Sequence, residues 1–252
     1  MGSSQEAASR TMLTIALPKG RVLEAATALF REAGLVAPES APVADSSTGG
    51  AAKGGTWEDS RRLILEDSAS GLRFLLAKPW DVPTYVEYGA ADLGLAGKDV
   101  LLERGKAVAE LLDLGIGRCR MVCAVPGDSG VTALTDEMLP FPFRVATKYP
   151  RITRTFLEHH GVAAEIINLQ GSVEVAPLVG LADGIVDLTE TGRTLRENGL
   201  RVIAEVLPVT TRLIANPVLH KAKQEEVDRL LERLEQVRAV RPGPGAGRTD
   251  LV

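Results

Sequence analysis

Residues 184–199 read GIVDLTETGRTLRENG, the part of the chain whose residue types and spacing could do chemistry. An apolar strand ends at Asp187 and Leu188. The turn that follows, through Thr189, Glu190, Thr191, Gly192, Arg193 and Thr194, opens a helix. A strand-to-helix turn built from glycine and hydroxyl residues exposes backbone N–H groups at the positive end of a helix, which makes a cradle for phosphate. Thr191 and Thr194 add hydroxyl donors, and Gly192 lets the backbone approach a ligand. Asp187 and Glu190 are acceptors for ribose hydroxyls or a magnesium ion. An ordinary capped helix in an α/β protein explains the same residues, so the turn alone leaves both readings open.

The elements that must position this turn follow from the apolar periodicity. Residues 12–17 form a buried strand, and residues 22–34 form a helix that stops at Gly34. Strands are expected at 63–65, 72–77, 91–97, 118–126, 144–149, 164–169, 184–188, 201–207 and 210–216. Helices are expected at 80–89, 98–105, 150–161, 172–184, 191–199 and 221–237. This alternation predicts an α/β fold with mostly parallel sheets. A proline- and glycine-rich break near 115–145 predicts two domains with a cleft between them. The expected division is 11–115 for the first part of domain I, 116–205 for domain II, and 206–238 for a return to domain I with the C-terminal helix. Residues 1–10 and 239–252 read as disordered tails. Residues 40–60, rich in Ser, Gly and Ala without periodicity, read as a long mobile loop.

Composition excludes several classes. With 252 residues, 45% of them hydrophobic and 25% charged, the chain can bury a substantial core. The net charge of −4 argues against a general nucleic-acid binder, and 4% aromatics argue against a base-stacking platform. No apolar run reaches the roughly 18–20 residues of a membrane span, and the N-terminus lacks the apolar core of a signal peptide, so the cytoplasm is expected. Cys119 and Cys123, about 13 Å apart along a strand, are too distant for a disulfide and read as buried apolar side chains. His159 and His160 close a helix, where positive charge meets its negative end. With His220 they are the only three histidines, so neither a His-rich metal site nor a Ser-His-Asp arrangement is supported.

The turn resembles the phosphoribosyl-pyrophosphate loop of phosphoribosyltransferases, although there two adjacent acids stand before the turn and here Val186 precedes Asp187. The segments LPKGR (17–21), VPTYVEYGAADLGLAGKDVL (82–101), ELLDLG (110–115), RVATKYP (144–150) and GSVEVAPLVGLADGIVDLTETGRTL (171–195) narrow the match. Together and in order they resemble ATP phosphoribosyltransferase over most of the chain. The resemblance implies two α/β domains of periplasmic-binding-protein type II-like architecture with the active site in the cleft. It also implies the joining of adenine N1 of ATP to phosphoribosyl pyrophosphate with Mg2+, the first step of histidine biosynthesis. The chain ends after one helix and a Gly/Pro tail, which looks like the short form of the family. That form works with a separate regulatory subunit resembling histidyl-tRNA synthetase, and a homodimer within a hetero-oligomer is expected.

The resemblance also implies residue roles. Asp187 to Thr194 would bind the 5-phosphate and ribose, and Glu174 would face the ribose or the metal, with Asp187 and Glu174 as the catalytic pair. No metal is expected to be held firmly by protein alone. Lys19, Gly20 and Arg21 would meet phosphates of ATP, and charges at a strand's carboxyl end do face the ligand crevice of open α/β sheets. Lys78, Asp99 and Tyr149 would lie by the adenine nucleotide. Each has a plain structural alternative: a first-turn acid for Glu174, a solvated loop for Lys19 and Arg21, an exposed strand end for Lys78, an N-cap for Asp99 and core packing for Tyr149. Two other functions compete: a solute-binding module of the same architecture without chemistry, and a phosphoribosyltransferase for another acceptor.

Overall fold

Almost every residue of Leu13–Pro18 is buried, as a strand sandwiched on both faces requires. In the computed structural model, which describes residues 12–36, 63–67, 70–218 and 221–240, this run is β1. Then come α1 (Arg21–Glu32), β2 (Ile64–Asp67), β3 (Leu72–Ala77), α2 (Val82–Glu87), β4 (Leu93–Gly97) and α3 (Lys98–Arg104). They are followed by β5 (Ala109–Asp113), β6 (Cys119–Pro126), β7 (Phe143–Thr147), α4 (Pro150–His159), β8 (Ala164–Asn168) and α5 (Val175–Leu178). Last come β9 (Gly184–Thr189), α6 (Arg193–Glu197), β10 (Leu200–Val209), β11 (Thr211–Ala215) and α7 (Lys221–Val240). The expected loop at 40–60, the tail 1–10 and His220 lie outside the described residues. So does the expected tail at 239–252, except that Ala239 and Val240 are the last residues of α7.

The chain divides into two units. The first comprises the chain up to Gly97, Lys106–Gly117 and the chain from Thr211 onward; the second comprises Lys98–Gly105 and Arg118–Thr210. The first unit holds a six-stranded sheet in the order β2-β3-β1-β4-β11-β5. Leu23, Leu29 and Phe30 of α1 and Val227, Leu230 and Leu234 of α7 join its core. Helix α7 is fixed at its start by Lys223, whose Nζ lies 2.8 Å from both carboxylate oxygens of Asp92. Asp92 also accepts the Thr14 N–H at 2.8 Å, so one half-buried acid ties α7 to β1 and to the entry of β4. The Asn216 side chain donates to the carbonyls of Val86 and Glu87, closing the C-terminal end of α2.

The second unit holds a five-stranded sheet in the order β10-β6-β9-β7-β8. Arg144 on β7 grips Asp183, just before β9, with Nε and Nη2 at 3.1 and 2.6 Å, and also donates to the Gly180 and Leu181 carbonyls. Burial raises the carboxyl's pKa, but the Arg144 hydrogen bonds and charge outweigh it and hold it below its ordinary value. Glu103 of α3 accepts the N–H groups of Arg151 and Ile152 at 2.9 and 3.0 Å, satisfying orphan donors in the first turn of α4. That contact is why α3 groups with the second unit, whereas the sequence placed 98–105 in domain I. The return to the first unit comes at Thr211, at the junction of β10 and β11, and not at 206.

Both sheets are mixed, in place of the mostly parallel sheets expected. Only β3-β1-β4 and β9-β7-β8 run parallel; every other neighbouring pair is antiparallel. A parallel pair needs a long crossover, usually a helix; β2 and β3 are joined directly and pair antiparallel, and the other antiparallel pairs, β4-β11, β11-β5, β10-β6 and β6-β9, join strands that are not consecutive in the chain. Strand β5 was not anticipated. The helix expected over 172–184 shrinks to the four residues of α5, because Pro177 lies within it and Gly180 adopts φ 71 two residues past its end. Cys123 is buried as expected and its thiol is pushed up to about 12 by burial, but Cys119 is only half-buried.

Gly184 opens β9 against a rigid ring and a backbone carbonyl. A Cβ there would lie 2.6 Å from the Phe143 ring and 2.9 Å from the Ala124 carbonyl. Gly184→Ala is expected to destabilise the chain by about 1–3 kcal/mol through overpacking. Urea unfolding should show a lowered midpoint with an unchanged slope.

Candidate active site

In the second unit, β9 carries Asp187 near its carboxyl end. The apolar residues Ile185 and Val186 before it are fully buried, and Asp187 is half-buried. Its Oδ1 accepts the N–H of Leu188 at 2.8 Å. Burial raises its pKa above the ordinary carboxylate range, and the charge of Glu174 raises it further. The Leu188 N–H and the charge of Lys148 act in the opposite direction. Glu174, half-buried, precedes α5 and makes no side-chain cap there. It therefore does not serve as a helix cap; what reaches Asp187 is its negative charge.

The turn after β9 is organised by its own hydroxyls. Thr189, buried, accepts the Gly192 N–H at 2.9 Å, and Thr191 accepts the Arg193 N–H at 3.3 Å. Two of the N–H groups expected to face a phosphate are thus turned inward; each hydroxyl still has its own proton to donate outward. Gly192 has φ 72 and ψ 9, a left-handed conformation that favours glycine. Arg196 donates to the Thr191 carbonyl, while Arg193 pairs with Glu197 on the surface. Glu190, Thr191, Arg193 and Thr194 are exposed.

Tyr149 and Asp99, 50 positions apart, meet in the same unit. The Tyr149 hydroxyl donates to Asp99 Oδ2 at 3.1 Å, and both residues are buried. Burial raises Asp99 above its ordinary range, against the opposing effects of the Tyr149 bond, backbone N–H groups and Lys148. The Tyr149 phenol is raised by burial and then by the charges of Asp99 and Asp187, so it stays protonated and donates. Asp187 with Glu174, and Asp99 with Tyr149, thus form one electrostatic neighbourhood around Lys148.

The sequence reading missed Lys148 and the buried hydroxyls of Thr147 and Thr153. The rule that selected Lys19 and Lys78, a charge just past an apolar strand, would have selected Lys148 after β7. Nothing in the sequence marks Thr147, whose role depends on which strand lies beside it.

In the first unit, Lys19 and Lys78 come together. Pro18 and Ala77 are paired at the ends of parallel β1 and β3, and the Lys19 N–H donates to the Ala77 carbonyl at 2.8 Å. The two lysines follow side by side at the carboxyl ends of these strands, both exposed. Gly20 turns the chain with φ 96 and ψ −152 to start α1 at Arg21, also exposed. A cavity of about 320 Å³ in this unit, lined in part by Leu35, Leu72, Glu226, Arg229 and Arg233, contains none of the residues selected from the sequence.

The sequence model of the family described as HisG: ATP phosphoribosyltransferase matches residues 78–236. An ATP phosphoribosyltransferase of Caldanaerobacter subterraneus subsp. tengcongensis is 47% identical over 226 residues, covering 90% of this chain and 97% of that protein. The ATP phosphoribosyltransferase of Bacillus subtilis is 44% identical over 229 residues, covering 90% and 95%. Among solved structures, the ATP phosphoribosyl transferase (HisG:HisZ) complex from Thermotoga maritima superposes with TM-score 0.70 at 35% identity, covering 90% of this chain and 99% of that one. The substrate binding protein of an amino acid ABC transporter superposes with TM-score 0.54 at 12% identity, covering 90% and 93%. The last likeness shows the fold alone: the periplasmic-binding-protein type II-like architecture. From the motifs in order, the two mixed sheets and these identities, the chain belongs to the ATP phosphoribosyltransferase family.

Proposed function

We propose that this chain catalyses the first step of histidine biosynthesis by joining N1 of the adenine of ATP to C1 of phosphoribosyl pyrophosphate. The products are N1-(5-phospho-β-D-ribosyl)-ATP and pyrophosphate. The observation that carries the residue assignment is the strand-end acid Asp187, electrostatically coupled to Glu174 and followed directly by the hydroxyl-lined turn Thr189–Thr194. Asp187 and Glu174 accept the ribose hydroxyls. Thr189, Glu190, Thr191, Gly192, Arg193 and Thr194 surround the 5-phosphate, with the outward hydroxyl protons and the Arg193 charge as donors. Lys19, Gly20, Arg21 and Lys78 serve the phosphates of ATP, and Asp99 and Tyr149 its adenosine. Lys148 offsets the charge of the two acids.

Adenine N1 carries a lone pair at neutral pH, so the reaction needs no strong general base. What the protein supplies is alignment of N1 with the anomeric carbon and electrostatic support for the charge that develops. Asp187 and Glu174 fit a magnesium ion: they are hard oxygen donors, and a cation relieves their mutual repulsion. Among the described residues no group of three or more His, Cys, Asp or Glu could hold a metal, so phosphate oxygens of the substrate complete such a site. Held by Asp187 and Glu174 with substrate oxygens, a magnesium ion would supply positive charge toward the departing pyrophosphate.

The relative from Thermotoga maritima, solved as a HisG:HisZ complex, supports a partner for this chain too. The proposed assembly is a homodimer within a hetero-oligomer, with a regulatory subunit resembling histidyl-tRNA synthetase. None of the described helices is long and apolar enough to cross a membrane. The proposed compartment is the cytoplasm, where both charged substrates are available. The solute-binding reading is not favoured, because the binding proteins share 12–14% identity with this chain and the named transferases 35–47%.

Asp187→Asn is expected to lower turnover with ATP, magnesium and phosphoribosyl pyrophosphate by about a hundredfold or more. Near-parental kinetics at limiting phosphoribosyl pyrophosphate in a folded variant would remove Asp187 from the site. The same substitution carries a stability signature. Between the ordinary carboxylate value of about 4 and its raised value, the folded chain keeps on Asp187 a proton that the unfolded chain has released. This group's contribution to stability therefore falls as pH rises through that window. Asparagine does not ionise, so the variant should melt no lower than the parent at pH 7, and a lower melting temperature would contradict the charge argument.

Regulation gives another test. The isolated chain should be active but weakly inhibited by histidine, and inhibition should strengthen on adding the regulatory subunit, whose binding free energy shifts this chain's conformational equilibrium. Strong inhibition of the chain alone, at concentrations that saturate the complex, would reject this.

A further inference from the structure

Strands β7 and β9 run in parallel register only as far as Thr147 opposite Val186. There they part. β9 continues beside β6 to Thr189, while β7 leads through Lys148 and Tyr149 into α4. The Thr147 hydroxyl, fully buried, sits in this fork. It donates to the Val186 carbonyl at 2.7 Å and accepts the Tyr149 N–H at 2.9 Å and the Thr153 hydroxyl at 3.2 Å. One proton and two lone pairs are all the capacity a hydroxyl has, and all of it is used.

Two of these bonds end one step from an acid of the site. Val186 is bonded in sequence to Asp187, and Tyr149 holds Asp99 through its own hydroxyl. We propose that Thr147 is a positioning residue for phosphoribosyl transfer, its single hydroxyl fixing the strand end that carries Asp187 and the tyrosine that holds Asp99. It touches no substrate in this scheme. The proposal rests on the assignment of Asp187 and Asp99 above. Threonine is needed rather than valine of similar shape, because valine would leave the Val186 carbonyl and the Tyr149 amide without this partner in a buried place.

The test compares Thr147→Val, Thr147→Ser and Thr153→Val in the full chain. Thr147→Val should lower the single-turnover rate about ten- to a hundredfold, with dissociation constants for ATP and phosphoribosyl pyrophosphate within about twofold of the parent. Thr147→Ser, which keeps the hydroxyl and loses the methyl, should restore the rate to within about twofold. Thr153→Val removes only the third bond and should lower the melting temperature while keeping the parental rate. A parental rate for Thr147→Val would overturn the proposal. So would a serine variant as slow as the valine one, which would assign the effect to methyl packing. A Thr153→Val variant slowed as much as Thr147→Val would overturn it too, as general loosening. If Thr147→Val does not fold, Thr147→Cys, with its weak donor, takes its place under the same criteria. Asp187→Asn measured alongside separates the two levels: if that variant is fully active while Thr147→Val is slow, the Asp187 half of the proposal is overturned and the Tyr149–Asp99 half stands.

Discussion

A buried acid must be held against its own desolvation, and the second unit holds two of them: Asp187 near the end of β9 and Asp99 in the first turn of α3. Asp187 and Asp99 both sit where burial disfavours their charge. Each is compensated by nearby donors: the Leu188 N–H for Asp187, and backbone N–H groups with the Tyr149 hydroxyl for Asp99. Lys148 lies within electrostatic reach of both. Such an arrangement is poor for stability, and it is useful where a ligand brings hydroxyls or a cation to complete the pairing.

The fold supplies the place for this. Where parallel strands end and diverge, chain turns and side chains gather at the sheet's carboxyl edge. Both units have such an edge, built from three parallel strands, and residues selected for chemistry lie there: Lys19 and Lys78 after β1 and β3, Asp187 near the end of β9 and Tyr149 after β7. Of the antiparallel strands around these trios only β2 is joined directly to its neighbour; β11, β5, β6 and β10 pair with strands distant in sequence. The same architecture serves solute-binding proteins, so the architecture alone carries no chemistry. What marks this chain as a member of a transferase family is its 44–47% identity to named ATP phosphoribosyltransferases over 90% of its length.

Compensation is also local in the first unit. Asp92 would be a costly half-buried acid without Lys223 and the Thr14 N–H, and with them it becomes the joint that seats α7 on the sheet. In the second unit the Arg144–Asp183 pair likewise closes the turn that delivers β9.

The sequence by itself determined most of the strands, because runs such as Leu13–Pro18 and Gly184–Thr189 are mostly apolar and bounded by glycine, proline or charge. It also determined the turn Thr189–Thr194, whose glycine and hydroxyls act within a few residues of one another. It failed where the outcome depended on contact between distant segments. The antiparallel pairings, the allegiance of α3 to the second unit through Glu103, and the meeting of Tyr149 with Asp99 are long-range events with no local signature. Thr147 shows the limit most sharply: as a letter in RVATKY it is one more β-branched residue suited to a strand. Only the strand order, which brings the Val186 carbonyl within 2.7 Å, makes its hydroxyl a joint.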